Sequence, residues 1–476
     1  MRPIARIPSR TRSRTRSRTR SAAPLAVAGS LLAALLACQE ITVPNYNTPN
    51  SDQLASNPDA ATVNATVVGL MAGMRAQVGT MATTLGILGR EVILASAAEP
   101  RNINGFLIGP LEPGGFGIDM GWTTTYRNLR TAASILAALD KVASYTPEQK
   151  NSIKGFVKTS MAIEYMNQMR IRDTFGIVLD VVADPSQLQP FVSGDSAWAR
   201  TASLLDEAKA NLAAGGTAFP FSLTTGYAGF NTPANYVKFN RAIKSRVDVY
   251  RLKWSDALTD LGASFLSTAS GSAASLQTGV YHVFSTASGD ATNPLYDPTP
   301  IALVALPSFL TDAQKAADGT SDKRASSKAV AGTLTLSQQG ISSNVKPLLY
   351  SSLSTSVPII RNEELILLRA EANYALGNVT AALTDLNFIR VNSGGLAPLP
   401  IPYTGDVVSE ILYNRRYSLF FEYGHRWVDM RRYGRLAQLE KMLPTHKIFP
   451  LVPILIDECN QRLTTPPKGC TQVSGF

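Results

Sequence analysis

The sequence predicts a mainly α-helical protein with a loop-rich side that carries minor β structure. Apolar residues recur at intervals of three and four over most of the chain, as they do on the buried face of a helix. Two stretches lack this period: a Pro-, Gly- and Asn-rich stretch from 99 to 121, and a Ser-, Thr-, Gly- and Pro-rich segment from 267 to 358. No interior linker separates independent units, so residues 58–476 are predicted to form one domain that contains the 267–358 insertion.

The N-terminus has the order of a lipoprotein signal peptide. Met1 to Arg20 contains eight arginines and no acidic residue, and an apolar run from Leu25 to Ala37 follows. This run is shorter than the about 20 residues that a membrane span needs. It ends in Leu35-Leu36-Ala37-Cys38, which resembles a lipobox, where the cysteine becomes linked to diacylglycerol.

We therefore expect residues 1–37 to be cleaved and Cys38 to be lipidated. The alternative is an ordinary secretory signal that ends in a cysteine. Residues 38–57, which include NYNTPN, are predicted to form a polar tether.

Cleavage would remove most of the net charge. The whole chain has 45 basic and 35 acidic residues, and without the eight leader arginines 37 basic residues face 35 acidic ones. The mature chain is then nearly neutral, so the high pI of the whole chain gives no reason to expect a nucleic-acid partner.

Helices follow from the periodicity in chain order. Asn57-Pro58 has the N-cap and N1 residues of a helix start. Further helices are predicted over Ala82–Ala97, Trp122–Val142, Pro147–Arg172, Ala197–Leu212, Phe239–Trp254 and Ser255–Leu266. Extended runs are predicted over Ile177–Val182 and Gly279–Phe284. The four tryptophans lie in or beside helical stripes and are assigned to packing: Trp122, Trp198, Trp254 and Trp427.

The segment EELILLRAEANYALGNVTAALTDLNFIR, residues 363–390, resembles a tetratricopeptide unit. Small residues such as Ala372 and Ala382 allow two helices to approach, and Gly377 allows a tight reversal. The regions 122–172 and 197–254 would be two further pairs, although no fixed period of about 34 residues is visible. This pattern alone predicts a helical-repeat binding scaffold.

The stretch Glu410–Leu436, EILYNRRYSLFFEYGHRWVDMRRYGRL, combines aromatic and charged residues at helical spacing. It predicts one long amphipathic helix, a break at Gly424 and a short second helical turn. The spacing also predicts two ion pairs that hold the helix ends: Glu422 with Arg426, and Asp429 with Arg432. The alternative is a catalytic or anion-binding site built from Glu422, His425, Arg431 and Arg432.

This stretch resembles the C-terminal signature of the SusD/RagB family of outer-membrane nutrient-binding lipoproteins, whose usual form is roughly NERRRELAFEGHRWFDLRR. The matching positions are Asn414, Arg415, Arg416, Phe421, Glu422, Gly424, His425, Arg426, Trp427, Asp429, Arg431 and Arg432. Tyr417 replaces a common arginine, and Tyr423 is inserted before the glycine. The tail from Ile448 to Asn460 resembles the closing FPIPQSEIDANP segment of the family.

The resemblance implies a SusD-like fold of four tetratricopeptide-like helix pairs, with loops and small strands on one side that form the ligand surface. It implies a lipoprotein anchored in the outer membrane and facing the exterior, with an oligosaccharide, or a peptide, as its ligand. It also implies a SusC-like TonB-dependent transporter as the partner that receives the nutrient. Two alternatives remain: a lipid-anchored tetratricopeptide scaffold that binds a protein partner, and a lipid-anchored glycosidase.

Catalytic motifs are absent from the sequence. There is no Gly-x-Ser-x-Gly, Walker or His-Glu-x-x-His motif. Three histidines, His282, His425 and His446, are too dispersed to predict a metal site. Two carboxylates of a glycosidase need only meet in space, so a pair of that kind stays open. We expect no enzymatic activity, no cofactor and no metal.

The last two cysteines, Cys459 and Cys470, are predicted to form a disulfide because an exported chain meets an oxidising compartment. A zinc site is disfavoured there, since His446 is the only histidine nearby.

A glycan surface needs aromatic rings for the C–H faces of sugars and polar groups for their hydroxyls, on loops that face solvent. Two stretches fit, in about the positions from which the family draws its ligand surface. The first offers Arg101, Asn102, Asn104, Phe106 and Phe116. The second offers Tyr281, Asp290, Asn293, Tyr296 and Asp297. The alternative for Phe106, Phe116 and Tyr281 is that these rings pack the loops onto the helices.

Overall fold

The computed structural model describes residues 51–96, 98–184, 186–297 and 302–476. The α-helices are α1 Ser51–Ser56, α2 Ala60–Met74, α3 Val78–Leu88, α4 Arg101–Ile103, α5 Trp122–Leu139, α6 Pro147–Arg172, α7 Gly194–Ala213, α8 Pro233–Tyr250, α9 Trp254–Gly262, α10 Ala273–Leu276, α11 Ser308–Thr311, α12 Lys323–Lys328, α13 Asn362–Ala375, α14 Val379–Ile389, α15 Val407–Ser418, α16 His425–Arg432 and α17 Ile456–Asn460. The strands are β1 Val92–Leu94, β2 Ile177–Val178, β3 Phe191–Val192, β4 Gly279–His282, β5 Leu303–Ala305, β6 Ala329–Gln338, β7 Ile341–Pro347 and β8 Val357–Arg361. The mainly α fold class is confirmed.

Helix α6 lies at the centre of the helical body. It begins at a capping box in which the side chains of Thr146 and Gln149 each bond the other residue's backbone, and Pro147 stands at N1. Its second half is buried on every side, packed between α5 and α7. Gly155 allows the close approach of α7, because a Cβ atom there would lie 2.5 Å from Leu212 Cγ.

The later helices continue this pairwise packing. Helix α8 packs on α7 and α9, and α13 packs on α14. The α13–α14 reversal runs through Gly377, whose φ of 81° favours glycine. The detailed resemblance of these helix pairs to tetratricopeptide repeats stays a prediction. The buried tryptophans are Trp122, Trp198 and Trp427, whereas Trp254 is half-buried.

The strands form small antiparallel sheets beside the helices. The largest has the order β1-β5-β7-β6, with Val92 opposite Ala305 and Ala305 opposite Val345. Strands β2 and β3 form one pair, and β4 and β8 another. Five of the eight described strands lie wholly or partly in the 267–358 segment.

The N-terminal boundaries differ from the prediction. Helix α2 begins after Asp59, whose side chain accepts a hydrogen bond from the Thr62 amide at 2.7 Å, so Asn57 is not its cap. The predicted tether reaches into α1, where Leu54 is buried. The signal peptide, Cys38 and the rest of the tether lie outside the described residues.

The helix predicted over 82–97 is also wrong in its second half. Helix α3 ends at Leu88, and Val92–Leu94 pairs with β5 instead. Arg90, between α3 and β1, has a φ of 59°, and this left-handed conformation ends a right-handed helix. The loop predicted over 99–121 contains helical turns from Arg101 to Ile108.

The C-terminal motif folds as two helices with a longer reversal than predicted. Helix α15 ends at Ser418, and the reversal contains three residues with positive φ: Phe421, Tyr423 and Gly424. Asp429 does pair with Arg432, at 2.9 Å. The predicted Glu422–Arg426 pair is wrong, because Glu422 leaves the helix and meets Arg361 at 2.9 Å.

Cys459 and Cys470 form a disulfide that closes the C-terminal loop. The loop follows α17, whose Glu458 accepts a hydrogen bond from Trp122 Nε1 at 3.2 Å. The tail is also fixed to the loop-rich side by a bridge between Leu111 and Val473.

Candidate functional site

The predicted ligand-binding residues do not form one cluster. Tyr281 and Tyr296 line two different cavities, and Arg101 and Phe116 lie on a loop that lines neither. Three others are buried: Asn102, Phe106 and Asn293.

The first loop is held by contacts within itself. Arg101 binds both carboxylate oxygens of Glu99, at 2.7 and 2.5 Å, and its guanidinium lies 4.4 Å from the centre of the Phe116 ring. Phe106 is 1% exposed and packs in the core, so it presents no ring face to solvent. Asn104 is exposed. Of the residues predicted here, Arg101 and Asn104 are exposed, whereas Phe116 is half-buried between Arg101 and Phe106.

In the second stretch, Asn293 anchors the chain between Tyr281 and Tyr296. Its Nδ2 donates to the Thr355 carbonyl at 2.7 Å and its Oδ1 accepts from the Leu295 amide at 2.7 Å. Asn293 is 2% exposed and has both ends of its amide occupied, so it holds the loop rather than a ligand. Tyr281 lies before this anchor and Tyr296 after it.

Tyr296 and Asp297 line a cavity of about 170 Å³, which we call the Tyr296 cavity. Half of its lining residues are apolar, and the others are Lys346, Tyr350 and Ser351 together with Tyr296 and Asp297 themselves. Tyr350 donates to the Phe421 carbonyl at 3.0 Å, so the cavity reaches down to the reversal of the C-terminal motif.

Tyr281 lines a larger open groove of about 380 Å³, the Tyr281 groove. Three regions form it: the last turns of α2, the turn before Tyr227, and β4 with the loop after it. The lining residues are Val68, Met71, Ala72, Arg75, Thr224, Tyr227, Tyr281, His282, Val283, Ser288, Gly289 and Asp290. Gly226 brings the turn against β4, because a Cβ atom there would lie 2.1 Å from the Tyr281 carbonyl oxygen.

Arg75 and Asp290, which both line the Tyr281 groove, form an ion pair. Arg75 also donates to the Val283 carbonyl at 2.5 Å, and Asp290 accepts from Ser285 Oγ at 2.6 Å. These contacts, first of all the hydrogen bond from Arg75, lower the pKa of Asp290 to about 2, so it is ionised at neutral pH. Sequence analysis missed Arg75, which ends an ordinary helical stripe and pairs with a residue 215 positions away.

The other polar groups of the Tyr281 groove are uncharged. Burial raises the pKa of Tyr281 to about 12, and its hydroxyl donates to the Gln277 carbonyl. Burial, with a smaller repulsion from Arg75, lowers the pKa of His282 to about 3, so the imidazole is neutral at physiological pH. The groove lining thus includes one half-buried tyrosine, two hydroxyl side chains at Thr224 and Ser288, and one ion pair.

The described residues hold neither a cluster of metal-ligating side chains nor a helix suited to span a membrane. No group of three potential metal ligands occurs among the described residues. No helix in the described part of the chain is long and apolar enough to cross a membrane.

Comparison with known proteins identifies one family model that matches the C-terminal part of the chain. Residues 339–473 match the model of the SusD family, a range that runs from the β6–β7 turn through the C-terminal motif to the disulfide loop. No curated protein sequence matches the chain.

Solved structures match over most of the chain. A SusD superfamily protein from Bacteroides vulgatus has a TM-score of 0.65 at 16% identity, over 86% of this chain and 98% of that chain. A laminarin-binding SusD-like protein has a TM-score of 0.60 at 18% identity, over 88% and 100%. Surface glycan-binding protein A from Bacteroides thetaiotaomicron, solved with laminarihexaose, has a TM-score of 0.62 at 12% identity, over 81% and 92%. The family match and the shared fold together confirm the resemblance to the SusD/RagB family that the C-terminal motif predicts.

Proposed function

We propose that this protein is a cell-surface lipoprotein that binds an oligosaccharide in the Tyr281 groove and passes it to a TonB-dependent outer-membrane transporter. The observation that carries the proposal is the groove itself, which half-buried Tyr281 lines together with residues that carry hydroxyl, guanidinium and carboxylate groups. Similar proteins of this fold include a laminarin-binding protein and a glycan-binding protein solved with laminarihexaose, which supports a sugar as the ligand class.

The chemistry of the groove suits a polyhydroxyl ligand. A sugar presents a face of C–H groups that packs on an aromatic ring, and its hydroxyls both donate and accept hydrogen bonds. Tyr281 would supply the ring, Asp290 the acceptor, and Arg75 the donor. Thr224 and Ser288 would supply groups that do both.

Calorimetric titration of the purified protein with a panel of neutral oligosaccharides and peptides tests the ligand class. Once a ligand is found, Tyr281→Ala should weaken binding by about tenfold through loss of the stacking face. Ala72 is exposed on the groove wall, so Ala72→Trp should block the groove while leaving the core intact. The matched control is Ala210→Trp, at an exposed position on α7 away from the groove.

Two further variants test whether the ligand binds at one of the other predicted surfaces. Tyr296→Ala tests the Tyr296 cavity, and Asn104→Ala tests the Arg101–Phe116 loop. A loss of binding in either of these variants, with Tyr281→Ala and Ala72→Trp unchanged, would move the site away from the Tyr281 groove. If no sugar or peptide binds and a soluble protein co-purifies, the scaffold alternative replaces this proposal.

The proposed role in transport has its own test. Detergent extraction of membranes from the native host should recover the lipoprotein together with a large TonB-dependent barrel, identified by mass spectrometry. Recovery of the lipoprotein without such a barrel would contradict the handover step.

We propose a binding role and no catalysis. Glycosidases use two carboxyl groups about 5 to 9.5 Å apart around the scissile bond. Asp290 is the single carboxylate among the described residues that line the Tyr281 groove, and it is held by Arg75. Release of reducing ends when the purified protein is incubated with the bound glycan would overturn this part of the proposal.

A further inference from the structure

The charges of the Tyr281 groove cancel each other. Of the described residues that line it, only Arg75 and Asp290 carry a charge at neutral pH, and they pair directly. The side chain of Arg75 is 15% exposed and that of Asp290 is 30% exposed, so both can be reached from the groove.

The carboxylate of Asp290 is held in place by three contacts. Oδ1 meets Arg75 and accepts from the Ala291 amide at 2.9 Å, and Oδ2 accepts from Ser285 at 2.6 Å. The guanidinium of Arg75 is fixed as well, since it donates to the Val283 carbonyl and lies 5.7 Å from the centre of the Phe284 ring. Guanidinium–carboxylate pairing is the contact through which proteins recognise the carboxylate of an acidic sugar. In this groove, Arg75 and Asp290 of the protein make that contact with each other.

We infer that the Tyr281 groove accepts uncharged oligosaccharides and rejects acidic ones, and that Asp290 is the residue that determines this specificity. The inference rests on the proposed glycan binding and names the class of glycan. A uronic or sialic acid in the groove would lie beside the carboxylate of Asp290, and the positive charge of Arg75 is already neutralised by that carboxylate. Like charges held close together disfavour each other, so an acidic ligand would meet a repulsion from Asp290 that a neutral ligand does not.

The experiment compares matched ligands. Each neutral oligosaccharide that the purified protein binds, with laminarihexaose as the first probe, is paired with the same oligosaccharide oxidised at C6 to the uronate. Both are titrated calorimetrically into the parent protein, Asp290→Asn and Asp195→Asn. Asp195 is exposed on α7, so Asp195→Asn makes the same change in net charge away from the groove.

We expect the parent and Asp195→Asn to bind the neutral oligosaccharide at least about tenfold more tightly than its oxidised form. Asn at 290 keeps the shape of the side chain and frees the charge of Arg75. Asp290→Asn should therefore reduce this preference by about tenfold or reverse it, and its binding of the oxidised form should weaken as salt rises.

The outcomes separate the inference from the function on which it rests. If no oligosaccharide of either kind binds, the proposed glycan binding fails. If the neutral ligand binds but the oxidised form binds the parent equally well or more tightly, the inference is overturned while glycan binding stands. An unchanged preference in folded Asp290→Asn also overturns it. Should Asp290→Asn not fold, Arg75→Gln leaves Asp290 unpaired and must increase the preference for the neutral ligand; no increase overturns the inference.

Discussion

The charged residues of the C-terminal motif have a structural role, because they are buried and paired with one another or with residues of neighbouring elements. Arg361 meets Glu422 at 2.9 Å and also pairs with Glu363, and all three side chains are 8% exposed or less. Arg415 meets Asp429 at 2.6 Å in the same way. These pairs join β8 and α13 to the reversal, and α15 to α16, so the C-terminal motif is tied to the helical body through buried charges.

The first prediction concerns the Arg361–Glu422 pair. Glu422→Gln should lower the free energy of unfolding by about 3 kcal/mol, the lower end for removal of one partner from a buried pair, because Glu363 still faces Arg361. The control is Glu207→Gln, whose side chain is 39% exposed and pairs with Lys158 and Arg200. That change should cost about 1 kcal/mol or less. Urea denaturation measures both, and equal costs would contradict the structural role of Glu422.

The second prediction concerns Glu91, which is buried with one carboxylate oxygen unpartnered among the described residues. Burial raises its pKa to about 8, partly offset by a hydrogen bond from the Phe421 amide at 3.2 Å. The unfolded chain loses this proton near the ordinary value of 4.5. Between these pH values the folded protein binds more protons, so the free energy of unfolding should fall as pH rises through the window and level off above about pH 8.

Measurement of unfolding at about pH 6.5 and about pH 8.5 isolates this group, because Glu91→Gln cannot titrate. The parent should lose about 2 kcal/mol more than Glu91→Gln over that interval. Glu112→Gln, at an exposed position, should follow the parent. Parallel pH profiles for the parent and Glu91→Gln would show that Glu91 is ionised in the folded protein.

Sequence spacing could predict only the local pairs among these charges. Asp429 and Arg432 are three residues apart on one helix, and their pair is predictable from that spacing. Glu422 has Arg426 at an equally good spacing, but its partner Arg361 lies 61 residues away. Nothing in the local pattern distinguishes these two cases, because the choice depends on where the backbone leaves the helix.

At the scale of elements, the reversal between α15 and α16 depends on one glycine. Gly424 has a φ of 67°, and a Cβ atom there would lie 2.2 Å from Leu85 Cβ. Leu85 is fully buried in α3, so it has no room to move. The glycine thus allows both the turn and the contact between the turn and α3.

The third prediction separates these two roles. Gly434 has nearly the same φ, 65°, but a Cβ atom there would meet nothing within 4 Å. Gly434→Ala should therefore cost about 1 kcal/mol, from backbone strain alone. Gly424→Ala should cost about 1 to 3 kcal/mol more, because it also overpacks the core. Thermal and urea unfolding of the two variants test this difference, and similar costs would show that the reversal can shift away from α3.

Elements were predictable where their signals are local. Helix α6 begins and ends at the predicted residues, because Thr146, Pro147 and Gln149 form a complete start signal. Strand β1 has three residues and exists through its pairing with β5, about 210 positions later. An apolar run of that length continues a helical pattern equally well, so the helix prediction extended through it.

At the scale of the whole molecule, the predicted surface location depends on the lipid anchor, and Cys38 lies outside the described residues. The fourth prediction is that the mature protein begins at Cys38 and carries acyl chains on it. Intact-mass measurement of protein extracted from membranes should show the loss of residues 1–37 and the added lipid. Cys38→Ser should leave the membrane fraction. An unchanged mass and an unchanged membrane fraction in that variant would contradict the anchor.

The candidate site shows what whole-molecule folding adds to the sequence. Tyr281 was predictable as an aromatic residue on a loop-rich segment, but the groove around it was not. Its walls come from α2, the turn at Thr225–Tyr227 and the loop that ends at Asp290. These regions meet only through the packing of the complete chain, and each by itself has an ordinary composition.

Helix α1 has a practical consequence for anyone who prepares the soluble protein. Leu54 is 5% exposed, and the carbonyl of Ala55 accepts a hydrogen bond from Lys141 at the end of α5. An expression clone that starts at Pro58, where the sequence pattern places the domain boundary, would delete this helix and uncover the apolar surface beneath it. Recombinant protein for crystallisation should therefore start upstream of Ser51 and be produced in an oxidising host compartment, where Cys459 and Cys470 can pair.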